Sequence, residues 1–319
     1  MYSSGYRMQK RVLVTGGAGF IGSNLIPELL KKGYAVVAVD NLCSGNLQNL
    51  NGVLDNPDFT FISGDIRDSA TLKQAFSSVN GVIHLAALID VVSSVTDPAS
   101  TNDVNVAGTL KVLQEAARCK VERFVFASST AVYGDAKDLP ITEATSLDPL
   151  SPYAASKAAG EAYCRAFMNS YGLSTVILRF FNVYGPRNEK SPYSGVITKF
   201  LRQALKDETL NIFGDGEQTR DFIHVNDIVE ALILALETQK AGGKTFNVCT
   251  GIQTSINDLV DAICTVTGRA LKPNYVPARA GEIRFSVGDP SKAQELLKFK
   301  PKVTLQEGLE LLLEAEKSE

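Results

Sequence analysis

A tyrosine and a lysine stand four residues apart in Tyr153-Ala-Ala-Ser-Lys157, within a stretch that has helical periodicity. Residues i and i+4 lie on one face of a helix, so the phenol and the ammonium group are expected to be neighbours. At an effective dielectric constant near 20, an ammonium group about 4 Å away can lower a tyrosine pKa by roughly three units. The pair could therefore serve as a general base near neutral pH, although most such pairs are ordinary solvated helix surface.

Hydroxyl side chains stand ahead of this helix. Ser128, Ser129 and Thr130 come at the end of an apolar segment, Arg123–Ser128, which is predicted to be a strand. A hydroxyl at the carboxyl edge of a sheet can bind a substrate hydroxyl and relay its proton to the tyrosine. This position favours catalysis over an exposed surface for the tyrosine–lysine pair.

A glycine-rich segment, Thr15–Gly22, follows the predicted strand Arg11–Thr15 and precedes a helix. Glycines 17, 19 and 22 fit G-x-G-x-x-G, and glycines 16, 19 and 22 fit G-x-x-G-x-x-G. Glycine permits a tight turn and lets the backbone approach a pyrophosphate that sits on the helix N-terminus. The segment therefore predicts a dinucleotide-binding loop.

Acidic residues follow the next two predicted strands. Asp40 ends the second strand, where a carboxylate can accept both ribose hydroxyls of NAD and would repel the 2′-phosphate of NADP. No arginine follows it directly, so NAD is the predicted cofactor. Asp65, after the third strand, could accept from the adenine amino group with Ile66 against the ring, or it could equally form a turn with a helix N-cap.

The elements that must position these residues alternate between strand and helix. This alternation predicts an α/β fold with a doubly wound, Rossmann-type parallel sheet and a smaller C-terminal substrate-binding α/β lobe. We expect an NAD-binding domain over residues 10–180, with parts of about 220–250 returning to it, and a mainly substrate-binding lobe over 181–319. The predicted strands include Ala35–Asp40, Phe59–Gly64, Gly81–Ala86, Thr175–Phe180 and Phe246–Cys249, and the predicted helices are Ile21–Lys32, Ala70–Ser77, Asn102–Cys119, Tyr153–Tyr171, Val225–Thr238 and Ile256–Thr267.

Composition narrows the class of protein. The 319 residues carry a formal net charge of −3, which does not suggest a nucleic-acid partner. Five scattered cysteines without a C-x-x-C pair suit a reducing cytoplasm, and only two histidines argue against a metal site. The first ten residues lack the apolar core of a signal peptide, and no apolar run approaches the roughly 18 residues of a membrane span. We therefore expect a cytoplasmic protein without metal or membrane partners.

Together these motifs resemble the extended short-chain dehydrogenase/reductase family, and within it most closely the NAD-dependent UDP-glucose (UDP-galactose) 4-epimerase type. The resemblance runs from about Arg11 to Thr304. Beyond the motifs above, it is carried by His84–Ala87, Ser128–Gly134, Arg179–Asn182, Phe213–Gly216, Arg220–Asp227 and Arg279–Glu282.

The resemblance implies roles for individual residues. Ser129 matches the catalytic serine, Tyr153 the base and Lys157 its partner. The implied cofactor-binding residues are Gly16, Gly19, Phe20, Ile21, Gly22, Asp40, Asn41, Ser44, Gly45, Asp65, Ile66, Leu85, Ala86, Ala87, Tyr153, Lys157 and Phe180. The implied residues for the UDP-sugar substrate are Ser129, Tyr153, Asn182, Val196, Phe213, Arg220, Arg279 and Glu282.

The end of the fifth strand favours one reaction of this family. Related dehydratases place an Asp-Glu pair after the serine, and UDP-xylose-forming decarboxylases place a glutamate there, whereas this chain has Thr130 and Ala131. The resemblance therefore implies 4-epimerisation. Tyr153 would remove the 4′-hydroxyl proton, directly or through Ser129, and a transient 4-keto sugar would be reduced on its other face with NAD unchanged overall.

The sugar and the assembly are less narrowly defined. Ser286 is small at a position that gates the sugar pocket in the epimerases, which favours room for an N-acetyl group and hence UDP-GlcNAc or UDP-GalNAc beside UDP-glucose and UDP-galactose. A UDP-glucuronate 4-epimerase, a dehydratase, a decarboxylase, a reductase and a non-catalytic NAD-binding protein stay as alternatives. The resemblance also implies a homodimer formed through Asn102–Cys119 and Tyr153–Tyr171.

The two histidines are interpreted as structural. His84 is expected to end a strand and to bond backbone groups, and His224 is expected to begin a helix.

Overall fold

The computed structural model describes residues 9–187, 195–278 and 283–317. Short segments rich in β-branched residues form the strands, in keeping with the preference of such side chains for extended backbone. In chain order the strands are β1 (Arg11–Thr15), β2 (Ala35–Asp40), β3 (Phe59–Ser63), β4 (Gly81–His84), β5 (Arg123–Ser129), β6 (Thr175–Phe180), β7 (Asn182–Tyr184), β8 (Asn211–Phe213), β9 (Thr219–Arg220), β10 (Phe222–His224), β11 (Thr245–Val248), β12 (Thr254–Ser255) and β13 (Asn274–Val276).

Seven of these strands form one parallel sheet in the described part of the chain, in the order β3-β2-β1-β4-β5-β6-β11. β1 pairs in parallel with both β2 and β4, so the direction of winding reverses between β1 and β4. In such sheets a ligand binds outside the carboxyl ends of the strands at this reversal. The predicted doubly wound fold is confirmed, and the late strand β11 pairs with β6 at the sheet edge.

Helices connect the strands and cover the sheet. Two short helices lie between β4 and a longer helical stretch. In the described residues the helices are α1 (Phe20–Lys31), α2 (Ser69–Ala75), α3 (Val91–Thr96), α4 (Pro98–Asn102), α5 (Thr109–Arg118), α6 (Pro152–Tyr171), α7 (Val196–Leu205), α8 (Val225–Glu237), α9 (Ile256–Thr267), α10 (Ser291–Leu296) and α11 (Leu305–Lys317).

Both faces of the sheet are buried. Val12 and Val14 pack with Leu25 of α1 on one face, and α8 covers the same face. Leu13, between them in sequence, packs on the other face with Val112 of α5, where α2 and α6 also lie. Successive side chains of a strand point to opposite faces, so continuously apolar strands require cover on both sides. This arrangement explains why the strands read as unbroken apolar runs.

The predicted helix Asn102–Cys119 is helical as far as Arg118, but it is not an α-helix throughout. The segment Asn102–Cys119 contains the end of α4, a π-helical turn over Asp103–Gly108 and then α5. Within the turn, the Asn105 carboxamide accepts from the Leu88 N–H at 2.8 Å and donates to the Leu88 carbonyl at 2.8 Å. A π-turn often marks a functional site, and this one ties the helix to the loop after β4.

The C-terminal part of the chain builds a second, smaller core. Apolar faces of α7, α9 and α11 pack together around residues such as Phe200, Leu259 and Leu312. In the described ranges, this part of the chain also forms two-stranded sheets, which pair β7 with β10, β9 with β12, and β8 with β13. The boundary between the two predicted domains at residue 180 stays a prediction.

Candidate active site

The glycine-rich loop is packed tightly against the loop after β4. Gly16 has a φ of 71°, and a Cβ there would lie 2.8 Å from the backbone nitrogen of Ala86. A Cβ on Gly22 would collide with the Gly16 carbonyl, so α1 can begin this close to the turn only because both residues are glycine. The result is a bare backbone surface at a helix N-terminus, which suits a pyrophosphate.

Asp40 lies at the carboxyl end of β2, beside this loop. Its carboxylate accepts hydrogen bonds from the backbone N–H groups of Ala18, at 3.0 Å, and Leu42, at 2.8 Å. Burial raises the pKa of Asp40, and these backbone donors act in the opposite direction. A side chain on Gly45 would begin 3.0 Å from both carboxylate oxygens, so glycine leaves the approach to Asp40 open.

Asp65 is held by a larger set of donors. Its carboxylate accepts from Nε and Nη2 of Arg67, at 2.9 and 2.8 Å, and from the Asn41 amide at 2.8 Å. The hydrogen bonds from Arg67 hold the pKa of Asp65 well below its ordinary range. Both carboxylate oxygens of Asp65 thus already accept hydrogen bonds from the protein. The predicted contact between Asp65 and the adenine amino group stays a prediction.

The tyrosine and the lysine lie on one face of α6, as their spacing predicts. Lys157 is only 5% exposed, and its Nζ donates to the Ala127 carbonyl at 2.8 Å. Burial lowers the pKa of Lys157 to about 8. Burial raises the pKa of Tyr153, and a hydrogen bond with Ser129 opposes that rise. The protein surroundings of Tyr153 therefore include the predicted serine, but they do not by themselves lower the tyrosine pKa as the spacing argument expects.

The start of α6 is anchored at the tyrosine itself. Ser151 caps the helix by accepting from the Ala154 N–H, and Pro152 has no N–H to satisfy. The N–H of Tyr153 donates to the Ser94 hydroxyl of α3 at 3.2 Å. The backbone N–H groups of Tyr153 and Ala154, which have no partner within the helix, are therefore both hydrogen-bonded, and this holds the tyrosine backbone in place.

A cavity of about 430 Å³ runs along the carboxyl ends of the strands from the glycine-rich loop to Tyr153 and Lys157. All residues that the sequence analysis assigned to cofactor binding line this cavity: Gly16, Gly19, Phe20, Ile21, Gly22, Asp40, Asn41, Ser44, Gly45, Asp65, Ile66, Leu85, Ala86, Ala87, Tyr153, Lys157 and Phe180. A glycine cradle at one end and a carboxylate acceptor beside it fit a dinucleotide.

Sequence reasoning missed several residues of this cavity. Arg187 lines it, adopts a φ of 69°, and donates through Nη1 to the Ser23 carbonyl of α1. No local pattern distinguishes it, because it follows Gly185 and Pro186 in a loop far from the other lining residues in sequence. The other described lining residues that were not assigned to the cofactor are Val39, Cys43, Asn46, Asn49, Gly64, Leu88, Ile89, Val104, Ala127 and Ser128, of which Ser128 was predicted only as a hydroxyl at the sheet edge.

Of the described residues assigned to the UDP-sugar, Tyr153 lines this cavity, whereas Ser129, Asn182, Val196, Phe213 and Arg220 are not among its lining residues. Asn182 lies on β7 opposite Phe222, and Arg220 on β9 opposite Thr254. Val196 begins α7, while Phe213 ends β8 opposite Val276. Arg279 and Glu282 lie outside the described residues. The substrate roles of all of these residues stay predictions.

Both histidines are buried and make structural contacts. His84 does end β4, but the expectation that it bonds backbone groups is wrong: its ring nitrogens bond the hydroxyls of Thr15, at 2.6 Å, and Thr109, at 2.9 Å. Those hydroxyls come from β1 and α5, which the tertiary fold brings to opposite sides of the ring. His224 caps α8, where its Nδ1 accepts from the Asn226 N–H. Its expected place at a helix start is confirmed.

In ranges 9–187, 195–278 and 283–317 no cluster of three or more His, Cys, Asp or Glu side chains could hold a metal ion. Over the same ranges, none of the helices has both the length and the apolar character needed to span a bilayer.

The fold and the cavity together define a class. A glycine-rich turn on a helix N-terminus and an acidic residue after the second strand, with a tyrosine–lysine pair on one helix face beside the same cavity, are typical of a dinucleotide-dependent enzyme. The chain belongs to the NAD dependent epimerase/dehydratase family, whose sequence profile matches residues 12–249. NAD is the cofactor of this family, and the cavity residues fit it.

Relatives with similar chains act on nucleotide sugars. A UDP-glucose 4-epimerase of Mycolicibacterium smegmatis is 40% identical over 94% of this chain and 96% of its own. The structure of a Thermotoga maritima UDP-glucose 4-epimerase with UDP-glucose is 39% identical, with a TM-score of 0.91 over 97% of this chain and 99% of that one. The structure of a Methanobrevibacter ruminantium UDP-N-acetylglucosamine 4-epimerase, in complex with UDP-N-acetylmuramic acid, is 38% identical, with a TM-score of 0.92 over the same shares.

Relatives with other names also match. A UDP-glucuronate 4-epimerase of Thermodesulfobacterium geofontis is 34% identical over 93% of this chain, and a UDP-N-acetyl-alpha-D-glucosaminuronate decarboxylase of Bacillus cytotoxicus is 36% identical over 95%. These matches cover 93% and 96% of their respective chains. The family is thus one of nucleotide-sugar epimerases and related enzymes.

Proposed function

We propose that this protein interconverts the 4-epimers of a UDP-hexose through a transient 4-keto sugar. The observation that supports the proposal most is that Tyr153 and Lys157 line the cofactor cavity while Ser129 forms a hydrogen bond with Tyr153. Thr130 and Ala131 follow the serine, where a dehydratase or decarboxylase of this family would carry a carboxylate. Without that carboxylate, acid–base groups suited to elimination are missing at this position, and epimerisation is favoured.

The chain's own residues would move one proton and hold the sugar. Tyr153, as phenolate, takes the proton of the 4′-hydroxyl, directly or through the Ser129 hydroxyl, and returns it after reduction on the other face. Lys157 stabilises the phenolate as a cation, provided that its pKa of about 8 keeps it protonated near neutral pH. When bound, NAD supplies the acceptor of the C4′ hydride and a positive charge that lowers the tyrosine pKa.

The proposed sugar is UDP-glucose or UDP-galactose, with the N-acetylated pair as further substrates. Ser286 is small and buried, and it lies two residues before Gly288, whose N–H donates to Asp221 next to Arg220. A serine at this position leaves more room for an N-acetyl group than a bulky side chain would. The names of the Thermotoga maritima and Methanobrevibacter ruminantium relatives support both sugar classes.

The proposal is tested with purified protein and no added cofactor. We expect UDP-galactose and UDP-GalNAc to convert to mixtures of both 4-epimers resolved by NMR, while UDP-galacturonate does not convert. Tyr153→Phe should lower kcat by about 100-fold or more, because a positioned acid–base group contributes about 10²–10⁴. Tyr163→Phe removes a hydroxyl from the same helix outside the cavity and should leave kcat unchanged.

Three outcomes would count against the proposal. Conversion of UDP-galacturonate alone would make the protein a uronate epimerase. Accumulation of a keto sugar or release of carbon dioxide would indicate a dehydratase or a decarboxylase. Absence of conversion with all three sugars, even after NAD⁺ is added, would remove the UDP-sugar epimerase proposal altogether.

A further inference from the structure

A buried polar cluster lies beneath the candidate active site and has no role in the chemistry above. Glu161 of α6 is 0% exposed and Arg179 of β6 is 3% exposed. Tyr133 and Asn247 extend the cluster, and Ser128 of β5 joins it to the cavity wall. A buried ion pair gives little net stability, because the loss of hydration offsets the attraction between the charges. Stability alone therefore does not account for this cluster.

The hydrogen bonds converge on the Glu161 carboxylate. Arg179 donates to it twice, from Nε to Oε1 at 2.8 Å and from Nη2 to Oε2 at 2.7 Å. The Ser128 hydroxyl donates to Oε1 at 2.7 Å. Nη1 of Arg179 donates to the Tyr133 hydroxyl at 2.8 Å, and Tyr133 donates in turn to Asn247 at 2.7 Å. Such bidentate, charge-assisted contacts fix the carboxylate in one orientation.

Glu161 lies on the same face of α6 as the proposed catalytic residues. Tyr153, Lys157 and Glu161 follow each other at intervals of four residues, so they lie along one face of α6. Lys157 binds the carbonyl of Ala127, and Glu161 binds the side chain of the next residue, Ser128. Two consecutive residues at the end of β5 are therefore attached to α6, directly before the serine that bonds Tyr153.

We propose that Glu161, oriented by Arg179, is a positioning residue that fixes the end of β5 against α6 through Ser128, so that Ser129 meets the Tyr153 phenol. The role acts through Ser128 and involves no contact between Glu161 and substrate. A displacement of about 1 Å between reacting groups can lower a rate about 100-fold, so a fixed distance between β5 and α6 matters for the chemistry. The kcat measurements that test this role rest on the proposed function.

The first variant is Ser128→Ala, which breaks the link without leaving a buried charge unpaired. We expect kcat to fall about tenfold, as for the loss of one hydrogen bond to a charged group, with KM for the UDP-sugar and the Kd for NAD unchanged. Thr175→Val is the matched control. Thr175 is another strand residue whose hydroxyl donates to α6, to the Cys164 carbonyl at 3.1 Å, but outside the cavity. The control should leave kcat unchanged.

The second variant removes the hydrogen bond between Glu161 and Ser128 while keeping Ser128. Glu161→Leu combined with Arg179→Met replaces the ion pair by apolar side chains, which buried sites often tolerate. This double variant keeps Ser128 but removes its anchor, and we expect the same loss of kcat as in Ser128→Ala. A folded double variant with wild-type kcat would overturn the proposal, because Ser128 would then act without Glu161.

A readout without turnover keeps this test separate from the proposed function. The pKa of Tyr153 is measured by tyrosinate absorbance, as the difference between each protein and its Tyr153→Phe version. In Ser128→Ala a weaker hydrogen bond between Ser129 and Tyr153 should raise the pKa of Tyr153 by about one unit, which is a tenfold change in its ionisation constant. The titratable groups that interact with Lys157, the partner of Tyr153, are Glu161 and Cys164 on α6 and His84 on β4, and Ser128→Ala leaves all three in place.

The outcomes are distinct. If the wild-type protein epimerises no UDP-sugar, the proposed function fails while the titration still decides the positioning role. An unchanged Tyr153 pKa in Ser128→Ala would overturn the positioning role, as would weaker NAD binding without a change in that pKa. The titration of Ser128→Ala suffices for this decision if the double variant does not fold.

Discussion

At the scale of single residues, the candidate site depends on opposing influences on two pKa values. Burial raises the pKa of Tyr153 and lowers that of Lys157 to about 8, because each charged form loses hydration. Ser129 opposes the first effect through a hydrogen bond. The phenolate is thus accessible near neutral pH only while positive charge lies close to it.

Removal of the lysine charge should therefore move the pH dependence of the reaction. In Lys157→Met we expect kcat at pH 7 to fall by about 100-fold, a typical share of acid–base catalysis. The rising limb of kcat against pH should move to higher pH, because the phenol of Tyr153 then needs a more alkaline solution to ionise. The measurement is kcat over a range of pH with UDP-galactose as substrate.

Lys73→Met serves as the control, since Lys73 is exposed on α2 and outside the cavity. It should reproduce the wild-type profile. A Lys157→Met enzyme with an unmoved rising limb would show that the lysine does not set the ionisation of the tyrosine.

At the scale of elements, the approach of α6 to β5 determines where the tyrosine lies. Gly160 makes this approach possible, because a Cβ there would overlap the Phe126 ring on β5. Gly160→Ala should lower the free energy of unfolding by about 1–3 kcal/mol through overpacking, measured by urea denaturation. It should also lower kcat, since α6 carries both Tyr153 and Lys157. Ala166→Ser, on an exposed part of the same helix, should change stability by less than about 0.5 kcal/mol.

An unchanged free energy of unfolding in Gly160→Ala would mean that α6 and β5 can separate without loss. Such a result would also weaken the argument that the spacing between these two elements is held for the chemistry.

At the scale of the whole molecule, two buried neutral histidines should make stability depend on pH. Burial lowers the pKa of His84 to about 3 and that of His224 to about 4, from an ordinary value of 6.5. As the pH falls through 6.5, the unfolded chain takes up protons that the folded protein does not. The free energy of unfolding should therefore decrease between pH 6.5 and 5, by up to about 1.4 kcal/mol per pH unit for each histidine.

The variant His224→Asn separates the two contributions. Asparagine can still cap α8 by accepting from the Asn226 N–H, but it does not titrate. We expect this variant to lose less stability per pH unit over the same range than the wild type, in urea denaturation at each pH. Equal slopes for the two proteins would contradict the assignment of a neutral, buried His224.

The assembly is also a prediction at this scale. α5 and α6 pack against each other and carry exposed residues, such as Gln114 and Ala162, along their outer faces. We expect a homodimer through these helices, with twice the chain mass by light scattering at micromolar concentration. Ala162→Arg should yield a monomer by placing unpaired charge in that contact. A monomeric wild-type mass would contradict the prediction.

The sequence by itself determined the parts of this protein that depend on neighbours in the chain. The glycine turn before α1, Asp40 at the end of β2 and the Tyr153–Lys157 spacing are local patterns, and the residues predicted for the cofactor do line one cavity. Continuously apolar strands alternating with helices were likewise enough for the fold class, because this pattern is stable only as a parallel sheet covered on both faces.

Only the tertiary structure decided which distant residues meet. Arg187 reaches the cavity and α1 from a loop after β7, and Asn105, in the π-helical turn before α5, binds the loop after β4. Glu161 and Arg179, on α6 and β6, meet beneath the serines of β5. Each of these contacts depends on how separate elements pack, and neither residue type nor local spacing carries that information.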